Sequence, residues 1–347
     1  MKILLYSDLH ISKTSSILPQ HSSDPRYTYR QQMIIDTAVI LKRVIDTHKP
    51  DLIVNLGDTF DQNTITSYDV EVASQFFSYF PDHIPHMVLV GNHEMVNSDF
   101  NAVALLNNIK NITVVSEPYS VDYMGVKLAF LPYCDYNYLL QFPEGDILFS
   151  HNDIQGSVIR GDFKLPEGID VKTLKQLYKI VFNGHIHKPS TFDNIINVGS
   201  ITTHSFSDDN DFVPQCYIFN TDTMSMENTI ISTACPLFRK LEVISVEQLN
   251  TLLKQLVSQQ YFKYVLQVTC PYALKEEIKD ILDNTDFVVS YRISVKIDKE
   301  TSTVDIPSIN TVNNLDIKHS FKCFLQTIDL KYPLDVYESI LEEVKSV

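Results

Sequence analysis

The sequence predicts an α/β fold in which buried strands form the central layer and helices cover it. As far as about residue 220, short apolar runs rich in β-branched residues alternate with amphipathic stretches. The run "DLIVNLGD" has the length and composition of a buried strand. From Arg30 to His48 apolar residues recur at the spacing of a helix, and residues 69–80 repeat that pattern. Such alternation is typical of strands buried between helices.

The remaining elements extend this pattern and divide the chain. Further buried strands are predicted for "KILLYSD", "HMVLVGNHE", "DILFSHND", "KIVFNGHIH" and "NIINVGS", and a helix for "NAVALLNNI". After about Pro236, three strands alternate with two helices. We therefore expect a large catalytic domain over residues 1–235, a small α/β domain over residues 236–300, and a linker with two short C-terminal helices over residues 301–347.

The composition is that of a soluble globular protein that works inside the cell. The 347 residues are 44% hydrophobic and 20% charged. No apolar run is long enough to cross a bilayer, and the N-terminus "MKILLYSDLH" becomes polar too early for a secretory signal. The five cysteines are odd in number and widely spaced, which predicts reduced thiols in a cytoplasmic, reducing compartment.

The net charge of −15 restricts the partners. A chain this acidic binds DNA poorly on its own, because non-specific affinity comes mostly from neutralising phosphates. If DNA is the substrate, bound metal ions, a local basic strip or a partner protein must supply the attraction. The candidate basic residues, for which a solvated surface is the alternative, are Arg160, Lys164, Lys172, Lys175 and Lys188.

Polar residues cluster where five of the predicted strands end, which is the edge where α/β sheets assemble their sites. Three of the nine glycines, Gly57, Gly91 and Gly184, immediately precede clusters, and glycine lets the backbone turn sharply and approach a ligand closely. The clusters are Ser7-Asp8-Leu9-His10, Gly57-Asp58, Gly91-Asn92-His93-Glu94, Ser150-His151 and Gly184-His185-Ile186-His187.

These clusters contain the donor atoms of a metal centre. On an extended backbone alternate side chains point the same way, so His185 and His187 are expected to face one spot, and the same holds for Asp8 and His10. Imidazole, carboxylate and amide donors without thiolate suit manganese, iron, zinc or magnesium. Seven candidates exceed the needs of one ion and predict two ions about 3.5–4 Å apart that share a carboxylate. The candidates are Asp8, His10, Asp58, Asn92, His151, His185 and His187.

Such a pair of ions indicates phosphoryl displacement, because it can hold a hydroxide and bind both the attacking and the leaving oxygen. His93 is not needed as a ligand and is therefore a candidate proton donor to the leaving alkoxide. Each ligand candidate taken alone is also compatible with an ordinary buried or turn residue. Their joint occurrence at five strand ends favours the metal centre.

The motifs resemble those of the calcineurin-like metallophosphoesterase superfamily. "DLH", "GDTFD", "GNHE", "SHND" and "GHIH" occur in the order of its D-x-H, G-D, G-N-H-D/E, histidine and G-H-x-H motifs, over roughly residues 1–235. "GDTFD" and "NVGSITTHSFSDDN" also resemble the SbcD-type nuclease branch. The resemblance implies a layered α/β/β/α sandwich with a small α/β capping domain and C-terminal helices.

The resemblance also implies a role for each candidate. His93 is expected to act near the scissile phosphate, and Glu94, where many members have aspartate, to orient His93. Two divalent ions are expected, Mn²⁺ in the first place, with Mg²⁺, Fe or Zn²⁺ as alternatives. The implied ligands are Asp8, His10 and His187 for one ion and Asn92, His151 and His185 for the other, with Asp58 bridging the two.

Three functions compete. The first is a manganese-dependent nuclease, an exonuclease on double-stranded DNA and an endonuclease on single strands, in recombination, repair or replication. The second is a phosphatase or phosphodiesterase for a small-molecule or protein phosphoester. The third is a non-catalytic scaffold, which has no reason to keep seven ligands together with His93. The branch resemblance favours the nuclease.

The branch resemblance further implies protein partners. C-terminal helices of the branch dock on an SbcC-like, SMC-type ATPase, and the apolar stripe over residues 334–344 suits that role. Packing of this stripe on the chain's own second domain is the alternative. The branch also forms homodimers through helices that correspond to residues 69–80 and 101–109. His204 is a candidate cleft residue or a surface-loop residue, and the short chain resembles compact phage-encoded versions.

Overall fold

A computed structural model describes residues 1–12, 17–22, 24–97, 100–134, 141–161, 163–203, 205–206, 212–231, 234–258 and 263–296. The predicted linker and C-terminal helices of residues 301–347 lie outside the described residues. So do His204, Cys323 and the side chain of Arg160.

The predicted buried strands are all present, and further strands accompany them. Buried residues of Lys2–Tyr6, Leu52–Asn55, Ile147–Ser150 and Ile195–Asn197 coincide with apolar runs of the sequence. The strands are β1 (Lys2–Tyr6), β2 (Leu52–Asn55), β3 (His86–Leu89), β4 (Ile112–Val115), β5 (Tyr119–Tyr123), β6 (Val126–Leu131), β7 (Ile147–Ser150), β8 (Val158–Arg160), β9 (Phe163–Lys164), β10 (Ile180–Asn183), β11 (Ser190–Phe192), β12 (Ile195–Asn197), β13 (Gln215–Asn220), β14 (Ser225–Ile230), β15 (Leu237–Glu242), β16 (Tyr264–Pro271) and β17 (Val288–Lys296).

The long first helix begins and ends at residues that suit those positions. Thr28 caps its start, because its side chain accepts a hydrogen bond from the Gln31 amide while the Gln31 side chain accepts one from the Thr28 amide. Lys49 ends it in the left-handed conformation. The α-helices are α1 (Tyr29–His48), α2 (Ser67–Ser78), α3 (Val171–Leu177), α4 (Val246–Ser258) and α5 (Lys275–Asp283).

Two six-stranded sheets carry the polar clusters. Their strand orders are β14-β13-β1-β2-β3-β4 and β11-β12-β10-β7-β6-β5. The strands β1, β2, β3 and β4 are parallel, as are β6, β7, β10 and β12. The carboxyl ends of β1, β2 and β3 therefore lie along one edge of the first sheet, and those of β7 and β10 along one edge of the second.

Three apolar cores hold the layers together. The two sheets face each other through one core, to which Leu5 of the first sheet and Phe149 of the second contribute. A second core lies between the first sheet and the helices α1 and α2, where Ile34 is fully buried. A third lies between the second sheet and α3, around Leu174. The order of layers is helix, sheet, sheet, helix, and the predicted α/β/β/α sandwich is confirmed.

One part of this region agrees with the prediction and another differs from it. The helix predicted over "NAVALLNNI" is present as a 3-10 helix, Ala102–Asn108. Three unpredicted strands, β4 to β6, occupy the chain between Ile112 and Leu131. The tight turn between β5 and β6 places Met124 and Gly125 at positive φ, 52° and 78°. Because β5 lies at the sheet edge and exposes much of its surface, it lacks the apolar run by which the buried strands were found.

Beyond β14 the chain forms a separate sheet. The strands β15, β16 and β17 are parallel neighbours in that order. Helices α4 and α5 share with them an apolar core that includes Leu249, Val268 and Ile278. Phe238 packs with Leu18 of the preceding part. The alternation of strands and helices after residue 236 is therefore as predicted, whereas the domain boundary itself stays a prediction.

The state of the cysteines and the character of the helices can be compared with the sequence analysis. Cys134, Cys216, Cys235 and Cys270, the cysteines within the described residues, have free thiols as predicted. In the same part of the chain, no helix combines the length and apolar character that a membrane crossing requires.

One buried histidine makes the stability of the fold sensitive to pH. His86 is fully buried and its Nε2 atom lies 3.0 Å from the hydroxyl of Tyr6, with the rings of Phe77 and Phe80 at centroid distances of 5.5 and 5.0 Å. Burial lowers the pKa of His86 to about 3, from an ordinary value of 6.5. The imidazole is therefore neutral in the folded protein at neutral pH.

Replacing this histidine should remove part of the acid sensitivity. Between pH 6.5 and 3 the unfolded chain binds a proton at His86 that the folded chain does not, so stability present above pH 6.5 is lost as the pH falls. We expect the free energy of unfolding of the wild type to decline relative to that of His86→Phe by up to about 1.4 kcal/mol per pH unit below pH 6.5. Urea unfolding of both proteins from pH 7 to pH 4.5 measures this difference, and parallel pH curves would contradict the assignment.

Candidate metal centre

The loops that follow β1 and β2 run side by side and place the first predicted ligands next to each other. The amide of Asp8 donates to the Gly57 carbonyl at 3.0 Å, and the amide of His10 donates to the Asp58 carbonyl at 2.9 Å. Asp8, His10 and Asp58 are all buried. The predicted convergence of strand ends is thus present at this pair of loops.

One group of potential ligand atoms consists of Asp8, His10 and His187. Their donor atoms all lie within 4.8 Å of one another. The Nε2 atoms of His10 and His187 each lie 3.9 Å from Oδ1 of Asp8. These are the three residues that the resemblance assigned to one ion.

A second group consists of Asp58, His151 and His185, whose donor atoms also lie within 4.8 Å of one another. Asn92 joins it, because its Oδ1 atom lies 3.2 Å from Nε2 of His151 and 2.9 Å from Nδ1 of His185. The structure therefore brings together the three residues assigned to the other ion.

Asp58 lies between the two groups. Its Oδ2 atom is 3.6 Å from Nε2 of His10 and 3.2 Å from Nε2 of His151. Its Oδ1 atom accepts a hydrogen bond from the backbone amide of His93 at 3.1 Å. One carboxylate oxygen of Asp58 thus faces both groups, which is the position expected of a bridging ligand, while its role as a ligand stays a prediction.

The backbone that presents these side chains is strained, and this overturns one argument from the sequence. Asp8, His10, Asp58 and His185 have positive φ angles of 54°, 48°, 51° and 67°. Residues other than glycine seldom adopt this conformation, which costs free energy and persists where the surrounding structure enforces it. The extended backbone assumed for the two X-x-His pairs is wrong, and His185 and His187 belong to different groups instead of facing one spot.

Glycines allow the loops to approach one another. A Cβ atom at Gly91 would lie 2.1 Å from Oδ1 of Asp58, and one at Gly57, where φ is 110°, would lie 2.4 Å from Nδ1 of His151. Side chains at these positions would displace two predicted ligands. The close approach that the sequence predicted for these glycines is therefore present.

The donor set fits divalent cations. Both carboxylate oxygens of Asp8 are buried and accept no hydrogen bond from any of the described residues. A buried carboxylate without hydrogen bonds is costly unless a cation lies beside it. Imidazole, carboxylate and amide donors, with no thiolate among them, are those of manganese, iron, zinc and magnesium sites.

The electrostatics of the protein alone already favour paired charges here. Burial by itself would raise the pKa of Asp58, but the imidazoles of His151 and His10 outweigh it and hold that pKa well below its usual range. Burial by itself would lower the pKa of His151, but the Asp58 carboxylate outweighs it and raises the pKa to about 9. Burial lowers the pKa of His10. Asp58 is therefore ionised and available to a cation.

Two carboxylates that the sequence argument did not select support the histidines from outside. Oδ1 of Asp61 lies 3.3 Å from Nδ1 of His10, and Oδ1 of Asp153 lies 3.1 Å from Nε2 of His185. A carboxylate on the second ring nitrogen fixes the orientation and tautomer of a metal-binding histidine. Both residues stand inside the quoted motifs "GDTFD" and "SHND", and that position was the available signal.

His93 is exposed, as a group that contacts substrate must be. The group that orients its ring is the Asp61 carbonyl and not the predicted Glu94. The ring of His93 lies 4.6 Å from the ring of His10, and places Nδ1 2.7 Å from the backbone carbonyl of Asp61. A carbonyl only accepts, so Nδ1 carries the hydrogen and Nε2 is left for a substrate.

Glu94 does not orient His93 in this arrangement, contrary to the prediction. Its two carboxylate oxygens accept the backbone amides of Phe60, at 2.9 Å, and Gly91, at 2.7 Å. Burial and the negative charge of Asp58 raise the pKa of Glu94 to about 8. Glu94 instead ties together the backbones of the loops after β2 and β3.

The basic residues considered as phosphate contacts lie partly in ion pairs. Lys175 is paired with Asp193, and its neighbour Lys179 with Asp146 at 2.9 Å. Lys164 and Lys172 are exposed. Exposure and pairing with carboxylates both agree with a solvated surface.

Asp8→Asn should separate the stability of the protein from its response to metal. Asparagine tolerates positive φ and removes the buried charge, so the variant should be at least as stable as the wild type in EDTA. A saturating divalent ion should stabilise the wild type, by about 2.7 kcal/mol at 100 times its Kd, and the variant by clearly less. Thermal unfolding in EDTA and in MnCl₂ measures both effects.

Asp46→Asn, which removes an exposed carboxylate, is the matched control and should respond to Mn²⁺ as the wild type does. An Asp8→Asn protein that is weakened in EDTA and gains as much from Mn²⁺ as the wild type would contradict a metal role for Asp8.

Comparison with known proteins agrees with this geometry. Residues 1–195 match the family model described as calcineurin-like phosphoesterase. The chain is 28% identical over 192 residues to exonuclease subunit 1 of Enterobacteria phage T4, a match that covers 50% of this chain and 54% of that protein. It is 23% identical over 325 residues to the probable exonuclease subunit 1 of Escherichia phage T5, covering 88% of this chain and 89% of that protein.

Among solved structures, an archaeal phosphodiesterase is similar with 12% identity and a TM-score of 0.36, covering 66% of this chain and 99% of that one. The family model spans more than half of the chain and includes three groups of potential ligand atoms, of which the third, His10, Asp61 and His93, shares His10 with the first. The predicted superfamily is confirmed: the chain belongs to the calcineurin-like phosphoesterases, a family that binds divalent metal ions.

Proposed function

We propose that this chain is the nuclease subunit of a DNA-processing complex and hydrolyses DNA phosphodiesters with two divalent ions, Mn²⁺ in the first place. The observation that carries the proposal is the position of Asp58 between two groups of potential ligands, with the exposed ring of His93 beside them. The relatives named as exonuclease subunits in phages T4 and T5 support DNA as the substrate.

The residues divide the work between holding ions and moving a proton. Bound ions lower the pKa of water and neutralise phosphoryl oxygens. Asp153 and Asp61 keep His185 and His10 turned toward the centre. The residues that would hold the ions are Asp8, His10 and His187 on one side and Asn92, His151 and His185 on the other, with Asp58 between them.

His93 is the proton donor in this scheme. As water attacks phosphorus, the bond from phosphorus to the leaving sugar oxygen breaks, and that oxygen needs a proton. Nδ1 of His93 is engaged by the Asp61 carbonyl, so a protonated ring presents Nε2–H to the leaving oxygen. His93 is exposed and His187 and His185 are partly exposed, so the centre is open on the side where this transfer would occur.

The net charge of −15 supports a nuclease that works in a complex. Among the described residues, Lys175 and Lys179 are paired with carboxylates, which reduces the local attraction for phosphates. The word "subunit" in the names of both phage relatives is consistent with a partner. An SbcC-like ATPase as that partner, a homodimer, a cytoplasmic location and a role in recombination, repair or replication are parts of the proposal.

A nuclease assay tests the proposal. With MnCl₂, the wild type should degrade end-labelled linear duplex DNA and a bis-aryl phosphodiester, and Asp8→Asn should do neither. Cleavage of the aryl ester alone would contradict DNA as the substrate of the isolated chain. Repetition with an SbcC-like ATPase added then shows whether DNA is excluded altogether, which would favour the small-molecule or protein phosphoester.

His93→Ala should keep both ions and lose about 10²–10⁴-fold in the rate of DNA hydrolysis. The loss should be smaller with the bis-aryl ester, because an aryl oxide leaves without protonation more readily than a sugar alkoxide. His83→Ala, which removes an exposed histidine outside the centre, is the control and should cleave at the wild-type rate. Equal losses on both substrates, or loss of bound metal, would show that His93 is not the general acid.

A further inference from the structure

The segment formed by residues 200–203 holds the loops of one ligand group, although it contributes no ligand to either group. It belongs to the "NVGSITTH" stretch that resembled the nuclease branch, to which the proposed chemistry assigns no role. Ser200, Ile201, Thr202 and Thr203 are essentially fully buried. Buried hydroxyl groups need hydrogen-bond partners, so the destinations of these side chains are informative.

The segment binds the backbone on both sides of Asp8. The hydroxyl of Ser200 lies 2.7 Å from the carbonyl oxygen of Asp8, and the hydroxyl of Thr202 donates to the carbonyl of Leu9 at 3.0 Å. The amide of Ile201 donates to the carbonyl of Ser7 at 2.9 Å. The 200–203 segment therefore bonds the carbonyls of Ser7 and Leu9, and the Ser200 hydroxyl shares its proton between the carbonyls of Asp8 and Thr202.

The same segment also contacts the loop of the third ligand in this group. The amide of Ser200 donates to the carbonyl of His187 at 3.0 Å. The segment thus joins the backbone of His187 to the backbone of Asp8 and to the Leu9 carbonyl that precedes His10.

Arg30, at the start of α1, completes the arrangement. Its guanidinium is 4% exposed and donates to the carbonyls of Leu9 at 3.1 Å and His10 at 2.9 Å. It also donates to the Thr203 carbonyl at 2.7 Å and to the Thr202 hydroxyl at 3.2 Å. One buried cation thus joins the 200–203 segment to the two carbonyls that follow Asp8.

These contacts act where the backbone is strained. Asp8 and His10 adopt φ angles of 54° and 48°, which a free loop would leave for an ordinary conformation. A change of φ and ψ would rotate the carbonyls of residues 8 to 10 away from Ser200, Thr202 and Arg30. The hydrogen bonds therefore favour the strained conformation in which the Asp8 carboxylate and the His10 imidazole face the same point as His187.

We propose that residues 200–203 and Arg30 form a positioning clasp for one of the two ions, the one on Asp8, His10 and His187. The inference rests on the metal centre that underlies the proposed function, but not on the identity of the substrate. Loss of a hydroxyl that bonds the backbone of Asp8 or Leu9 should weaken the binding of one ion and leave the ion on Asn92, His151 and His185 bound. Thr202 and Arg30 are positioning residues in this account, because they act through the loop.

Adjacent buried threonines provide a matched test. Thr202→Val removes the hydroxyl that bonds Leu9, whereas Thr203→Val removes a hydroxyl that donates to the carbonyl of Pro236 at 2.7 Å, away from the metal loops. Thr202→Ser keeps the hydroxyl. Mn²⁺ titration by calorimetry on the full chain, without DNA, gives the number of sites and the Kd of each, and urea unfolding in EDTA gives the stability of each variant.

In Thr202→Val, one Kd should rise about 10–100-fold and the other should equal the wild-type value. In Thr202→Ser and Thr203→Val, both Kd values should equal those of the wild type. Equal affinities in all four proteins would overturn the clasp. Equal weakening by Thr202→Val and Thr203→Val, in step with their stabilities, would also overturn it, because the effect would then be general destabilisation. Absence of Mn²⁺ binding in the wild type would overturn both this inference and the metal centre, whereas two bound ions without DNA cleavage would affect only the proposed substrate.

Discussion

Burial of the Asp8 and Asp58 carboxylates at the meeting point of two sheets is the constraint on which the rest of the site depends. Water is excluded from both groups, and the described residues offer Asp8 no hydrogen bond. Asp58 is surrounded by imidazoles, whose positive charge in the protonated form keeps its pKa low. A buried carboxylate that accepts no hydrogen bond, as at Asp8, is an unfavourable arrangement for the protein alone and a favourable one beside a divalent cation.

The layered fold provides the rigidity that such a site requires. The predicted ligands stand on loops after parallel strands whose registers are fixed by two apolar cores, so the loops cannot relax independently. Four predicted ligands adopt positive φ without being glycine, and strain of this kind persists only where the surroundings impose it. Glu94 imposes it from one side, by binding the amides of Phe60 and Gly91, and the clasp around Arg30 imposes it from another.

The sequence was sufficient for the strands that carry the site and for the identity of the ligand candidates. Buried strands are recognisable in a sequence as apolar runs, and polar residues that directly follow such runs are easily identified. Side-chain direction could not be predicted, because it follows from the left-handed backbone at residues such as His185 and not from strand alternation. Asp61, Asp153 and Arg30 were missed as supporting residues, since their roles arise from contacts between loops distant in sequence.

The most direct test of the account is the number and position of metal ions in crystals of the wild-type chain grown with MnCl₂, located by anomalous diffraction. The account predicts two peaks about 3.5–4 Å apart on either side of the Asp58 carboxylate. One of them should contact Asp8, His10 and His187, and the other Asn92, His151 and His185. A single peak, or peaks that do not contact Asp58, would contradict a two-ion centre organised by the buried carboxylates.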